Sequence, residues 1–321
     1  MGELPFALAP EAALGVWLRE AEREMEPHRT AGTYRGFDGT ELPWQAVHAD
    51  RPRAHVVLLH GFTEFPEKYR ELCRYLRQAG CTVWLPVLRG HGQGGIVHVD
   101  RFEDYVRDIA CFLRDIVPER PLLFGHSMGG GVAARLLQER PDCAARAVLC
   151  SPMLCPQTGR APHWLALGCA RMLLRRGERE KSPLFSGAYD PNAEFSCSGC
   201  TSRARFCAAM DCRAECPAYQ TMGASNRWVY ESLALRSRVL SPRACRRVQV
   251  PVLVCSAGRD TQVSLREQRL LAARLPQGRL LEFPDEKHEL YNAGNAGLAA
   301  FLGAVLEFFG LTAGYGKEET K

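Results

Sequence analysis

Apolar positions along this chain follow two rhythms. Over residues 11–26, Leu14, Trp17 and Leu18 recur on one side of a 3.6-residue period, which predicts an amphipathic helix. Residues 33–37 and 42–48 then alternate with a period near two around Asp38-Gly39, the pattern of a hairpin. Beyond these, short and continuously apolar runs alternate with helical patterns. Strands are predicted at 55–59, 82–85, 122–124 and 147–150, and helices at 66–78, 102–116 and 128–138. Strands apolar at every position are covered on both faces, so the expected fold is α/β, a mostly parallel central sheet with helices on either side.

The regularity stops after Cys150. Residues 151–246 hold no clear strand and many Pro, Gly and Cys residues. It then resumes with strands at 252–256 and 279–283 and helices at 265–273 and 298–309. The expectation is a core made of residues 1–150 and 247–321, with 151–246 inserted as a mainly helical lid. The polar tail from 312 to 321 is expected to fray.

Composition narrows the classes. The chain has 321 residues, 46% of them hydrophobic, enough to bury one large core. Its net charge of +5 comes from 41 basic and 36 acidic residues spread along its length, so there is no nucleic-acid footprint. The first thirty residues are charged throughout and lack the apolar core of an export signal. No run reaches the ~18 apolar residues of a membrane span. With no export signal, the 14 cysteines read as reduced thiols, several of them serving as small core residues. The expected location is the cytoplasm, with peripheral contact to the inner face of the membrane through the lid.

The chemistry is concentrated at Gly125-His126-Ser127-Met128-Gly129, which fits G-x-S-x-G between an apolar strand and a helix. Glycines two residues on either side leave room for the sharp turn that exposes the serine. A serine hydroxyl is a weak nucleophile and needs a base oriented by a carboxylate, in the chain order Ser, acid, His. Only His163 and His288 follow Ser127. His163 lies in the insertion ahead of any carboxylate on a returning strand, which leaves His288 as general base. Asp260, just past strand 252–256, is the favoured acid; Asp285, three residues before His288, competes. The oxyanion donors are expected to be the backbone N–H groups of Met128 and of Phe62, in His60-Gly61-Phe62-Thr63-Glu64. His60, His91 and His126 read as scaffold and packing residues. No metal or cofactor is required.

With these residues in place, the chain resembles the serine hydrolases of the α/β-hydrolase superfamily. Within them it resembles the bacterial lysophospholipase L2 and monoacylglycerol lipase type. The resemblance rests on His60-Gly61-Phe62-Thr63-Glu64, Arg89-Gly90-His91-Gly92, the Ser127 motif, Leu149-Cys150-Ser151-Pro152-Met153, the segment from Asn226 to Ser232, Ala257-Gly258-Arg259-Asp260 and Lys287-His288-Glu289. It implies Ser127, Asp260 and His288 as a catalytic triad, with Phe62 and Met128 forming the oxyanion hole. The implied reaction cleaves the carboxylic ester of a lysophospholipid or monoacylglycerol. A broad carboxylesterase or thioesterase on the same triad is the alternative, and a non-catalytic ligand-binding hydrolase fold is a remoter one.

The insertion departs from the family in its cysteines. Cys197 and Cys200 have metal-ligand spacing, Cys207 follows, and the second pair, Cys212 and Cys216, is looser; free thiols are favoured, with a metal site or a labile disulfide as the rival. Residues 163–181 set Arg171, Arg175 and Arg179 at helical spacing beside Trp164, Leu165, Leu167, Met172 and Leu173. An ordinary lid helix with arginines in water is favoured there, and a helix that touches anionic bilayers is the rival.

Overall fold

The computed structural model describes residues 4–182 and 188–312. The chain opens with α1 (Leu14–Met25), then β1 (Arg29–Arg35) and β2 (Glu41–Val47), a hairpin turning at Gly39, whose φ is 85°. There follow β3 (Ala54–Leu59), α2 (Arg70–Gln78), β4 (Cys81–Pro86), the short β5 (Gly95–Val97) and α3 (Phe102–Asp115). Next come β6 (Leu122–His126), α4 (Met128–Glu139) and β7 (Arg146–Cys150). The insertion holds α5 (His163–Arg175), α6 (Arg203–Ala214), β8 (Thr221–Ala224), α7 (Asn226–Val239) and α8 (Pro242–Cys245). The chain closes with β9 (Val252–Ala257), α9 (Leu265–Arg274), β10 (Gly278–Phe283) and α10 (Asn295–Phe309).

Eight strands form one sheet in the order β1-β2-β4-β3-β6-β7-β9-β10. The β1–β2 and β2–β4 pairs are antiparallel and all the others parallel. Successive residues of the central strands feed opposite cores. Val57, Leu59, Leu123, Ala147, Leu149 and Val254 join the core under α3, α4, α7 and α9. Val56, Leu58, Phe124, Val148 and Leu253 join the one under α1, α2 and α10. Burial on both faces is why these strands carry no alternation in sequence.

Three expectations need correction. The region 151–246 does contain a strand: β8 pairs in parallel with β5 as a separate two-stranded sheet. Thr221–Ala224, four residues with a glycine among them, is too short to register as an apolar run, and its partner lies far away in sequence. The predicted arginine stripe is also cut short, because α5 ends at Arg175 and Gly177, with φ 79°, breaks the helix before Arg179. Finally, α5 packs against α7 with only Ala170 fully buried, leaving Trp164, Leu165 and Met172 exposed at 72%, 43% and 46%. The tail beyond Thr312 lies outside the described residues.

Candidate active site

The turn from β6 into α4 puts Ser127 at φ 50°, a left-handed conformation that non-glycine residues rarely adopt. The flanking glycines permit it. A Cβ on Gly125 would meet Gly129 O at 2.6 Å, and one on Gly129 would meet Leu59 O at 2.1 Å. The start of α4 is thus pressed against the end of β3. The Ser127 N–H donates to Cys150 O at 3.0 Å, and the Ser127 carbonyl accepts from Met153 N at 2.8 Å. These bonds tie the serine to the Leu149–Met153 run.

Asp260 and His288 are joined directly, with His288 Nδ1 donating to Asp260 Oδ2 at 2.6 Å. The other oxygen, Oδ1, accepts from the N–H groups of Gln262 at 2.8 Å and Val263 at 3.1 Å. Gln157 Nε2 further braces this loop through the carbonyls of Asp260 and Val263. A carboxylate held this way keeps the proton on Nδ1, so Nε2 is left as the basic nitrogen. Asp285 is exposed, and its carbonyl accepts from Arg259. His163 donates to Leu233 O at 3.0 Å.

The remaining histidines build the scaffold. His60 Nε2 accepts from Leu88 N at 2.9 Å, leaving Nδ1–H to donate to Gly61 O at 2.8 Å. Burial pushes His60 below its ordinary value. His91 Nδ1 donates to the carbonyls of Leu88 and Arg89, while Nε2 accepts from Thr63 N at 3.2 Å. Burial, and then the neighbouring His60, press His91 down to about 3. In the same loop Arg89 pairs bidentately with Asp108 and reaches Asp38, fastening the loop to α3 and to the hairpin.

His126 is more than a packing residue. Its Nδ1 lies 2.9 Å from Glu64 Oε2, and its Nε2 lies 3.4 Å from the carbonyl of His288. Its ring is centred 4.9 Å from that of His288, which sets His288 beside the serine turn. Glu64 is the hub. It accepts from Gly61 N at 2.6 Å, Lys68 Nζ at 2.7 Å, Tyr291 OH at 2.8 Å and the hydroxyl of Tyr69. Lys68 also reaches Glu289 at 2.8 Å. Burial alone would raise the Glu64 and Glu289 carboxyls, but Lys68 and His126 outweigh it and hold both below the usual range. One buried cluster therefore links the loop from His60 to Glu64, the residue before Ser127 and the residue after His288.

The segment Asn226 to Ser232 opens α7. Trp228 covers Phe62 with ring centroids 4.1 Å apart, and Glu231 accepts from the Phe102 N–H at the start of α3. All 14 cysteines are free thiols, and seven of them are buried. Among the described residues no group of three His, Cys, Asp or Glu side chains is placed to hold a metal. No helix there is long and apolar enough to cross a membrane.

A family model described as serine aminopeptidase, S33, matches residues 50–294. Lysophospholipase L2 of Escherichia coli K12 is 28% identical over 291 residues, covering 83% of this chain and 82% of that protein. Human monoglyceride lipase is 35% identical over 109 residues, covering 32% of this chain and 36% of its own. Among solved structures, the monoacylglycerol lipase of Paleococcus ferrophilus superposes with a TM-score of 0.68 at 23% identity, over 85% of this chain and all of that one. The fold is shared with that enzyme, the family match spans most of the chain, and this protein belongs to the serine aminopeptidase S33 family of α/β-hydrolase enzymes.

Proposed function

We propose that the protein is a serine esterase that hydrolyses the single acyl ester of a lysophospholipid or monoacylglycerol. The observation that carries this reading is the Asp260–His288 bond at 2.6 Å beside a serine held at φ 50°. Ser127 Oγ attacks the acyl carbonyl while His288 Nε2 takes its proton. The N–H groups of Phe62 and Met128 receive the developing oxyanion. His288 then gives its proton to the leaving alcohol, and an acyl-enzyme remains. Water, deprotonated by the same nitrogen, releases the fatty acid and restores Ser127. Asp260 holds the imidazole in the required tautomer and balances its charge at each protonated stage.

The lipid character of the substrate is supported by the names of the relatives. The exposed face of α5 also supports it, since Trp164, Leu165 and Met172 share that face with the exposed Arg171 and Arg175. In this reading residues 151–246 are the lid over a core of 1–150 and 247–321, and α5 is the part that rests on an anionic bilayer. The test is release of fatty acid from 1-acyl lysophospholipid and from monoacylglycerol, with Ser127→Ala as control. Turnover of either by the wild type alone supports the reading. Turnover of only short soluble esters would remove the lipid assignment.

A further inference from the structure

Thr63, next to the proposed donor Phe62, has φ 58°. For a β-branched residue this is an outlier costing about 1–3 kcal/mol, and it persists only where the surroundings impose it. Two bonds impose it here. The Thr63 N–H donates to His91 Nε2 at 3.2 Å, and its carbonyl accepts from the guanidinium of Arg213. On the other side of Phe62, the Gly61 N–H is fixed on Glu64 at 2.6 Å. Phe62 is thus suspended between two anchored neighbours, and one anchor comes from the insertion.

Arg213 reaches from a rigid base. Its guanidinium lies 5.4 Å over the ring of Phe65. About two turns earlier on α6, Arg205 is only 2% exposed and binds both oxygens of Glu71 on α2 at 2.9 and 2.8 Å. It also donates to Ala293 O and Asn295 Oδ1, each at 2.9 Å. Ser202, which caps α6, donates to Glu11 at 2.6 Å. A helix bolted to the core in this way is a brace and not a moving flap.

We infer that Arg213 is a positioning residue for the oxyanion hole, holding the Thr63 carbonyl so that the Phe62 N–H stays aimed at the developing negative charge. The inference rests on the esterase reading of Ser127 and Phe62. Because an oxyanion forms with every acyl substrate, the effect is independent of chain length. It also falls on turnover and not on binding.

The experiment compares wild type, Arg213→Ala and Arg213→Lys on a short p-nitrophenyl ester and on a long-chain monoacylglycerol, with melting curves and fluorophosphonate labelling. Arg213→Ala is expected to lose about 10- to 100-fold in kcat on both substrates, with KM changed less than about twofold. Arg213→Lys, which keeps a donor, is expected to recover a large part of that loss without change in melting temperature. A loss confined to the long-chain substrate and carried by KM would overturn the inference and make Arg213 a wall of the acyl site. Equal loss in Ala and Lys variants that tracks a lowered melting temperature would also overturn it. If the wild type neither turns over nor labels, the esterase reading itself fails, an outcome distinct from wild-type activity that is indifferent to Arg213.

Discussion

Lys68 Nζ donates to Glu289 Oε1 at 2.8 Å, joining the turn ahead of α2 to the residue immediately after His288 across 221 positions of sequence. The same ammonium holds Glu64 at 2.7 Å, so one cation serves two buried carboxylates. Removing it leaves Glu289 without its directly paired cation and Glu64 with His126 alone. Lys68→Met is therefore expected to destabilise the protein by about 3–5 kcal/mol in denaturant unfolding, the range for breaking a buried ion pair from one side. Adding Glu289→Gln should return part of that loss. A Lys68→Met variant within about 1 kcal/mol of wild type would show that the cluster is not closed in solution.

Stability should depend on His91 in mildly acidic solution. In the folded protein its value is pushed down to about 3, whereas the unfolded ring protonates near its ordinary 6.5. Between those values the unfolded state binds the additional proton, so stability is full above about 6.5 and declines as pH falls. The slope approaches about 1.4 kcal/mol per pH unit, or about 2 kcal/mol between pH 6.5 and 5. His91→Gln should lessen the slope of unfolding free energy against pH over this range, leaving the part that the buried His60 contributes. Identical slopes for variant and wild type would contradict the assignment. Glu64 and Glu289, held below the carboxylate range, add a second loss only at more acidic pH.

Two glycines should respond in opposite directions to the same substitution. Gly129→Ala places a methyl group 2.1 Å from Leu59 O and 2.7 Å from His60 O, both backbone atoms. It should cost about 3 kcal/mol and displace the Met128 N–H, slowing acylation. Gly168, inside α5, has open space at its Cβ position. Gly168→Ala should raise stability by about 0.5–1 kcal/mol, the helix-propensity difference. Calorimetric melting of the two variants reads both effects, and a tolerated Gly129→Ala would contradict the close approach of α4 to β3.

The outward face of α5 makes a separate prediction. Wild-type protein should float with anionic vesicles at low salt, and Trp164→Ser with Met172→Ser should abolish this while leaving turnover of a soluble ester unchanged. Absence of wild-type flotation would end the membrane role of α5.

Much of this molecule was legible from its residues, for a physical reason. Strands such as Val56 to Leu59 feed two cores at once, so their unbroken apolar character marks a sheet covered on both sides. At the candidate site, elimination among histidines needs no coordinates, and the structure adds the bond between Asp260 and His288. The hidden parts are those whose residue types ordinarily face water. Glu64, Lys68 and Arg205 read as surface charges, and only tertiary packing shows each buried against its counter-charge. β8 is silent in the sequence because four residues pairing with a distant three-residue strand carry no periodic signal. The ends of α2, α5 and α10 do carry a visible cue, since each is followed within two residues by a glycine of left-handed φ, Gly80, Gly177 and Gly310.

The central claim is that Ser127 is an activated nucleophile served by His288. Intact-mass measurement after reaction with a fluorophosphonate tests it most directly, on wild type, Ser127→Ala and His288→Ala side by side. The account predicts a single adduct on the wild type, located at Ser127, with none on Ser127→Ala and strongly slowed labelling of His288→Ala. Wild-type protein that stays unmodified, or an adduct that persists in Ser127→Ala, would contradict it.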